Sequence, residues 1–356
     1  MRTWNLTPRR SVLALIVWLS MGLSGHVTAA DPVAIRVENL TVPPSTGPLV
    51  SVQVKNLLEQ PYQAAVSIQG PSGWQIAPER RGVALAPGET RRVAFAIEKG
   101  RNLAANSYPF EVSADGAGTT VLRKQSVACA SAPYYKPEID GDPSEWKDAI
   151  PITFLISGKK TVISTYWNRR QFSMLVAVEE DRLSPYGQQP PPAGFDAVQI
   201  AISPEDSATG SSQDQKAARF EFLLVATGVA NGGRCFQLAS PETTLAEVAR
   251  ARDLAPLQYA DAAVAVTREE GITYYECSIP FRSMREQIRP TEGREFFLSA
   301  LVHDPDGTGI RDLGEALGLW PWQRSALAWS RWKGAAWNEK PPLDNKLRWG
   351  LCTSKY

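Results

Sequence analysis

The sequence predicts an all-β protein built from two β-sandwich domains. Three observations carry this. Apolar and polar residues alternate over many short runs, Gly/Pro clusters punctuate those runs, and only residues 243–254 read as a helix. A period of two puts the apolar side chains of each run on one face of a strand, which then has to be buried against a second sheet.

Residues 1–30 are expected to be a signal peptide. Arg2, Arg9 and Arg10 form a basic start, residues 11–23 are mainly apolar but too short to span a bilayer comfortably, and Val27-Thr28-Ala29-Ala30 offers small residues for cleavage. No later segment is apolar enough to cross a membrane, so the chain is expected to be secreted, periplasmic or held at the cell surface. Beyond residue 30 the chain carries 35 basic and 37 acidic side chains. That balance excludes electrostatic binding of nucleic acid, which needs concentrated Lys and Arg.

An even number of cysteines in an exported chain favours disulfides, and Cys129, Cys235, Cys277 and Cys352 permit three pairings. The favoured set is Cys129–Cys352, joining the first and last strands of the C-terminal domain, with Cys235–Cys277 as the remainder. Zinc is not expected, because the cysteines are isolated and His303 is the only histidine after residue 30.

The first domain is assigned to residues 31–127. Val50, Val52 and Val54 alternate with polar residues, as do Ala64, Val66 and Ile68, then Val93, Phe95 and Ile97, then Phe110 and Val112. Pro43-Pro44, the 70–73 Gly-Pro-Ser-Gly run and Pro87-Gly88 supply turns. Trp74 reads as core or edge packing. The run from Val83 to Phe95, with Pro87-Gly88-Glu89-Thr90 at its centre, is similar to bacterial immunoglobulin-like domains attached to secreted glycosidases. The resemblance implies a spacer.

Residues 128–136 read as a linker, and residues 137–356 as the second domain. Residues 161–166, 172–178, 197–202, 220–225, 262–267, 273–279 and 296–302 all read as strands. Four signatures stand in order here. The first is Ile139-Asp140-Gly141-Asp142-Pro143-Ser144-Glu145-Trp146, and the second is Tyr166-Trp167-Asn168 followed by Phe172 and the apolar run to Val178. The third is Phe195-Asp196-Ala197-Val198-Gln199-Ile200, and the fourth is Tyr275-Glu276-Cys277-Ser278-Ile279-Pro280-Phe281. Together they resemble the carbohydrate-binding family 9 module, a β-sandwich related to DOMON domains. The resemblance spans residues 133–352.

What the resemblance implies is an exported, non-catalytic protein that stacks a polysaccharide or oligosaccharide on tryptophan. Indole rings suit the C–H-rich faces of sugars, and Trp320, Trp322, Trp329, Trp332, Trp337 and Trp349 crowd the last 37 residues. Trp337 matches one wall of the family's sugar clamp, with Trp332 next. The other wall falls on Ala193, leaving Phe195 or Tyr186 as substitutes. Gln199 stands where the family has an acid that bonds sugar hydroxyls, and its amide can both donate and accept. Family members also hold structural calcium, and Asp304, Asp306 and Asp312 in a Gly-containing loop supply hard oxygen ligands. Asp140, Asp142, Asp181 and Asp196 are secondary candidates.

Catalytic readings find little support. There is no Gly-x-Ser-x-Gly elbow and no phosphate-cradling glycine loop, and any histidine-dependent triad would rest on His303 alone. Two alternatives remain. Some relatives of this sandwich hold b-type haem through Met with His or Lys, for which Met174, Met284 and His303 are the available ligands. The other is a ligand-free extracellular scaffold that docks a protein partner.

Overall fold

The computed structural model describes residues 31–187, 194–204, 214–319, 327–335 and 342–353. The expected signal peptide, Ala193, Trp320, Trp322 and Trp337 lie outside them. The fold is all-β. Two sheets formed by the first hundred described residues pack face to face. One has the order β1-β2-β6-β4, from Val33–Val37, Leu49–Asn56, Thr90–Lys99 and Gln75–Ala77. The other is β5-β3-β7-β8, from Arg80–Leu85, Tyr62–Gln69, Tyr108–Gly116 and Thr119–Val127. The alternating valines read from the sequence meet between these sheets, with Phe95 and Phe110 filling the middle. Trp74 packs on Tyr108 and Phe110 at the edge of that core.

The second pair of sheets is larger. Five strands run in the order β10-β11-β12-β17-β16, from Ile152–Ile156, Lys159–Trp167, Gln171–Glu179, Ile272–Pro280 and Ala263–Glu269. They face a sheet of order β15-β14-β13-β18-β20-β9, from Gly233–Ala239, Phe220–Ala226, Ala197–Ser203, Glu295–Asp304, Leu347–Leu351 and Ser131–Ala132. A short β19 (Gly309–Asp312) pairs with β18. Met174, Val176, Ile200, Phe222, Tyr275, Leu298 and Trp349 fill the space between them. Each of the seven runs read as strands in this part of the sequence forms one.

The expected helix over residues 243–254 is cut to a single turn, α1 (Leu245–Ala249). Its start is a capping box, Thr244 accepting from the Glu247 amide while the Glu247 carboxylate accepts from the Thr244 amide. Nothing beyond Ala249 sustains it, because the chain turns extended at Arg250.

Residues 32–356 cluster as one compact unit. The segment read as a linker is part of that structure. β9 joins the large sheet in parallel with β20, and Leu40 bridges to Cys129. Across the seam Asn39 Nδ2 donates to the Arg348 carbonyl at 2.7 Å and Thr41 Oγ1 to Glu295 at 2.6 Å. Asn106 donates to the carbonyls of Cys129 and Pro151 and accepts from the Cys129 amide. Gly350 is required here, since a Cβ would sit 1.9 Å from the Thr41 carbonyl oxygen.

Both faces of the β13–β14–β18 region are covered, so every residue of β13 and β14 is buried. Its inner face meets the five-stranded sheet. Its outer face is roofed by residues 327–335 and by α1's neighbourhood, and this second layer holds the candidate site.

Candidate functional site

On β13 the side chains of Ala197, Gln199 and Ala201 point to the outer layer, and the antiparallel register sets Ala197 beside His303 and Gln199 beside Leu301. Phe195, two residues before Ala197, continues that face. Trp332 lies over Phe195 with centroids 4.8 Å apart and planes at 32°, and meets the His303 ring edge-on at 5.5 Å. Tyr186 presents its edge to Phe195 at 5.0 Å and to Phe236 at 5.3 Å. Offset and edge-on pairs of this kind each add about 0.5–1.5 kcal/mol beyond area burial. The sequence-predicted Tyr186, Phe195, Trp332 and Gln199 are therefore gathered in one place.

They are gathered as a packed layer, which corrects the expected orientation of two of them. Trp332 is only 2% exposed, so its face rests on protein. Gln199 is fully buried, its amide nitrogen donating to Glu221 and the Ser330 carbonyl and its oxygen bonded to His303 Nε2. An amide engaged at both ends holds the roof down instead of facing solvent. The same network continues into charge. Glu221 accepts from Ser330 and from Arg219, and Arg219 also reaches Asp344 at 3.1 Å and the Ala328 carbonyl. All three charged groups are fully buried. Burial alone would lower the Arg219 pKa, but the paired Glu221 and Asp344 carboxylates outweigh it and raise it.

At the end of the same strands lies a second cluster. β13 and β18 end opposite one another, bringing Asp196 and Asp304 together on the inner face, and Glu180 follows directly after β12. Carboxylate oxygens of Glu180, Asp196 and Asp304 lie within 4.8 Å of one another, and all three residues are buried. Protein donors satisfy only part of this negative charge. Glu180 Oε1 accepts from Thr273 and, at 3.4 Å, from Arg268, while Asp304 Oδ2 accepts from Thr308 and Arg311. Asp196 Oδ2 accepts from the Ser184 amide. Glu180 Oε2 and Asp196 Oδ1 have no partner, although Glu180 is 2% and Asp196 0% exposed.

The electrostatic consequence follows. Burial first, with the neighbouring carboxylates adding to it, pushes Glu180 up to about 7 and Asp196 up to about 8. Asp304 goes the other way. Against its burial, the Thr308 amide and the Arg311 guanidinium hold its carboxyl below the ordinary range.

The expected calcium set of Asp304, Asp306 and Asp312 does not converge. Asp306 is exposed and tied to Arg182 and the Ser184 hydroxyl. Asp312 caps α2 (Leu313–Ala316) through the amides of Gly314 and Glu315 and accepts from Asn345. Of the secondary candidates, Asp181 pairs with Lys159 on the surface and Asp140 and Asp142 order their own turn, leaving Asp196. Glu180 was missed because it sits within Glu179-Glu180-Asp181, a run that reads as a solvated strand end.

The four cysteines are buried and no disulfide joins them, so the expected bridges are not formed here. Each favoured pair is nonetheless adjacent enough to interact. Burial raises the Cys129 thiol pKa and the neighbouring Cys352 adds to it, and burial does the same to Cys235 with Cys277 as neighbour. The haem ligands are separated. Met174 and Met284 sit in the inter-sheet core, whereas His303 projects to the outer layer against Trp332 and Gln199.

No protein-family model and no curated protein matches the chain. Among solved structures, it is similar to a carbohydrate binding module family 9 from Caldicellulosiruptor kristjanssonii in complex with cellotriose. The identity is 13% and the TM-score 0.35, over 49% of this chain and 76% of the other. The corresponding complex with glucose gives 13%, 0.33, 49% and 77%. The YadV chaperone gives 10% identity and a TM-score of 0.22, over 79% of this chain and 98% of the other. At these TM-scores the function has to be argued from the chain's own residues.

Proposed function

We propose that the chain is an exported, non-catalytic carbohydrate-binding protein whose ligand is a polysaccharide or oligosaccharide. The observation that carries this reading is the convergence of Tyr186, Phe195 and Trp332 on the outer face of the large sheet. The sequence resemblance assigns its sugar clamp to these same residues together with Trp337. In this reading the buried rings are the foundation. Trp332 is locked onto Phe195, Gly334 lies against the Phe195 ring, and Trp337, three positions further along the sequence, is the residue on which the sugar ring stacks.

Calcium belongs to the same reading as a structural ion. Glu180, Asp196 and Asp304 fit it, because a hard cation suits carboxylate oxygens and two of these are buried without a partner. Once bound, it would neutralise their mutual repulsion and tie three strand ends together.

The test is binding of the full chain to an array of polysaccharides and oligosaccharides with calcium present, repeated with Trp337→Ala. A specific hit lost in the variant supports the reading. A blank array from folded protein removes it. That outcome favours the scaffold reading, whose own support is the closure of the outer layer over Gln199 and Trp332.

A further inference from the structure

The carboxylate cluster and the aromatic cluster share their backbone. Side chains alternate across a strand, so adjacent residues serve opposite faces. Asp196 turns inward to the carboxylates, and Phe195 turns outward under Trp332. Asp304 turns inward, and His303 turns outward against the same indole. The third strand end is joined by a reciprocal pair of bonds. The Ser184 amide donates to the Asp196 carboxylate, and the Asp196 amide donates to the Ser184 carbonyl at 2.9 Å. Ser184 then leads through Pro185 to Tyr186, whose amide bonds the Ala226 carbonyl and whose ring meets Phe195.

We infer that a divalent cation bound by Glu180, Asp196 and Asp304 controls the order of the Tyr186–Phe195–Trp332 cluster, and through it ligand affinity. The inference rests on the proposed function for the identity of the ligand, not for the coupling itself. The physical reason is local. Without a cation, three buried carboxylates share too few donors, and the backbone bearing Asp196 gains by moving one of them toward water. That movement displaces Phe195, one residue away, and strains the Ser184 pair that positions Tyr186. A cation removes the gain. Magnesium, which demands near-octahedral ligation and keeps several waters, suits three clustered buried carboxylates less well than calcium, whose coordination is more adaptable.

Two readouts on the full chain test this. Calcium binding is measured by calorimetry after chelation, with Asp196→Asn and Glu180→Gln alongside wild type. Amide hydrogen exchange is followed at residues 183–187 and 194–199 with and without calcium. The expected result is a single calcium-binding event weakened at least tenfold in each variant, with exchange in both segments slowed at least tenfold by calcium in wild type and unchanged by it in Asp196→Asn. Absence of calcium binding would overturn the site. Binding with no effect on exchange at residues 183–187 and 194–199 would overturn the coupling. The same samples titrated with a glycan hit should lose at least tenfold in affinity on chelation. Slowed exchange with no glycan bound under any condition would leave the coupling standing and remove the carbohydrate reading.

Discussion

Trp332 and Phe195 lie 4.8 Å apart, ring over ring, although 136 residues separate them in sequence, and this contact fixes the C-terminal roof to the large sheet. Because Phe195 is 8% exposed, its ring is a structural element in its own right. Phe195→Ala should lower unfolding free energy by about 3 kcal/mol, near the low end for a buried Phe truncation. Phe195→Leu should recover more than half of that. Urea denaturation of the three proteins checks it, and equal stability would place the ring outside the packed layer.

The buried ion group under the roof makes a second prediction. Glu221 is bonded to Arg219, Gln199 and Ser330, all shielded from water. Removing one partner of a buried ion pair costs about 3–5 kcal/mol, because the remaining charge loses its compensation. Glu221→Ala is therefore expected to be strongly destabilised, whereas Glu111→Ala, exposed beside Lys124, should change stability by less than about 1 kcal/mol. Thermal melts of the two variants provide the comparison.

His303 gives a pH dependence with a definite sign. Burial drives its folded-state pKa down from 6.5 to about 3, so the folded protein keeps the ring neutral. An unfolded chain takes up the proton near 6.5. The stability associated with the neutral ring is thus complete above pH 6.5 and declines as pH falls from there toward 3, at about 1.4 kcal/mol per unit over the linear part. His303→Gln should flatten that part of the stability-pH curve. An unchanged slope between pH 6 and 4 would contradict the assignment.

Cys129 with Cys352, and Cys235 with Cys277, are predicted to bridge when the chain folds under oxidising conditions. Peptide mapping without reduction should find these two pairs. Their reduction should then cost about 2–4 kcal/mol per bridge. Any other pairing, or four free thiols after oxidative folding, would refute the prediction.

Much of the fold was legible because half of its chemistry is periodic. Wherever one face of a strand is buried and the other open, as in Tyr62-Gln63-Ala64-Ala65-Val66, the alternation shows. β15 was not foreseen. Cys235, Phe236, Leu238 and Ala239 are all buried, since one face meets the core and the other the outer layer, and the alternation is lost. The roof was hidden for a related reason. Residues 327–335 form no regular element that could leave a period. The candidate site was legible as a set of residues but not as an arrangement. Tyr186, Phe195, Trp332 and Gln199 were named from motif positions, yet nothing local says that Gln199 would face Glu221 and His303 instead of solvent. Arg219, Glu221 and Asp344 were passed over because isolated charges normally mark surface, and only tertiary pairing makes their burial tolerable.

The most direct test of the account is the affinity of the full chain for its best array ligand, measured by calorimetry in calcium for wild type and Trp337→Ala. The account predicts one sugar-binding event per chain in wild type and at least a tenfold loss in the variant, with unchanged melting temperature. Equal affinity in a folded Trp337→Ala protein would contradict it, because the sugar would then be held without Trp337.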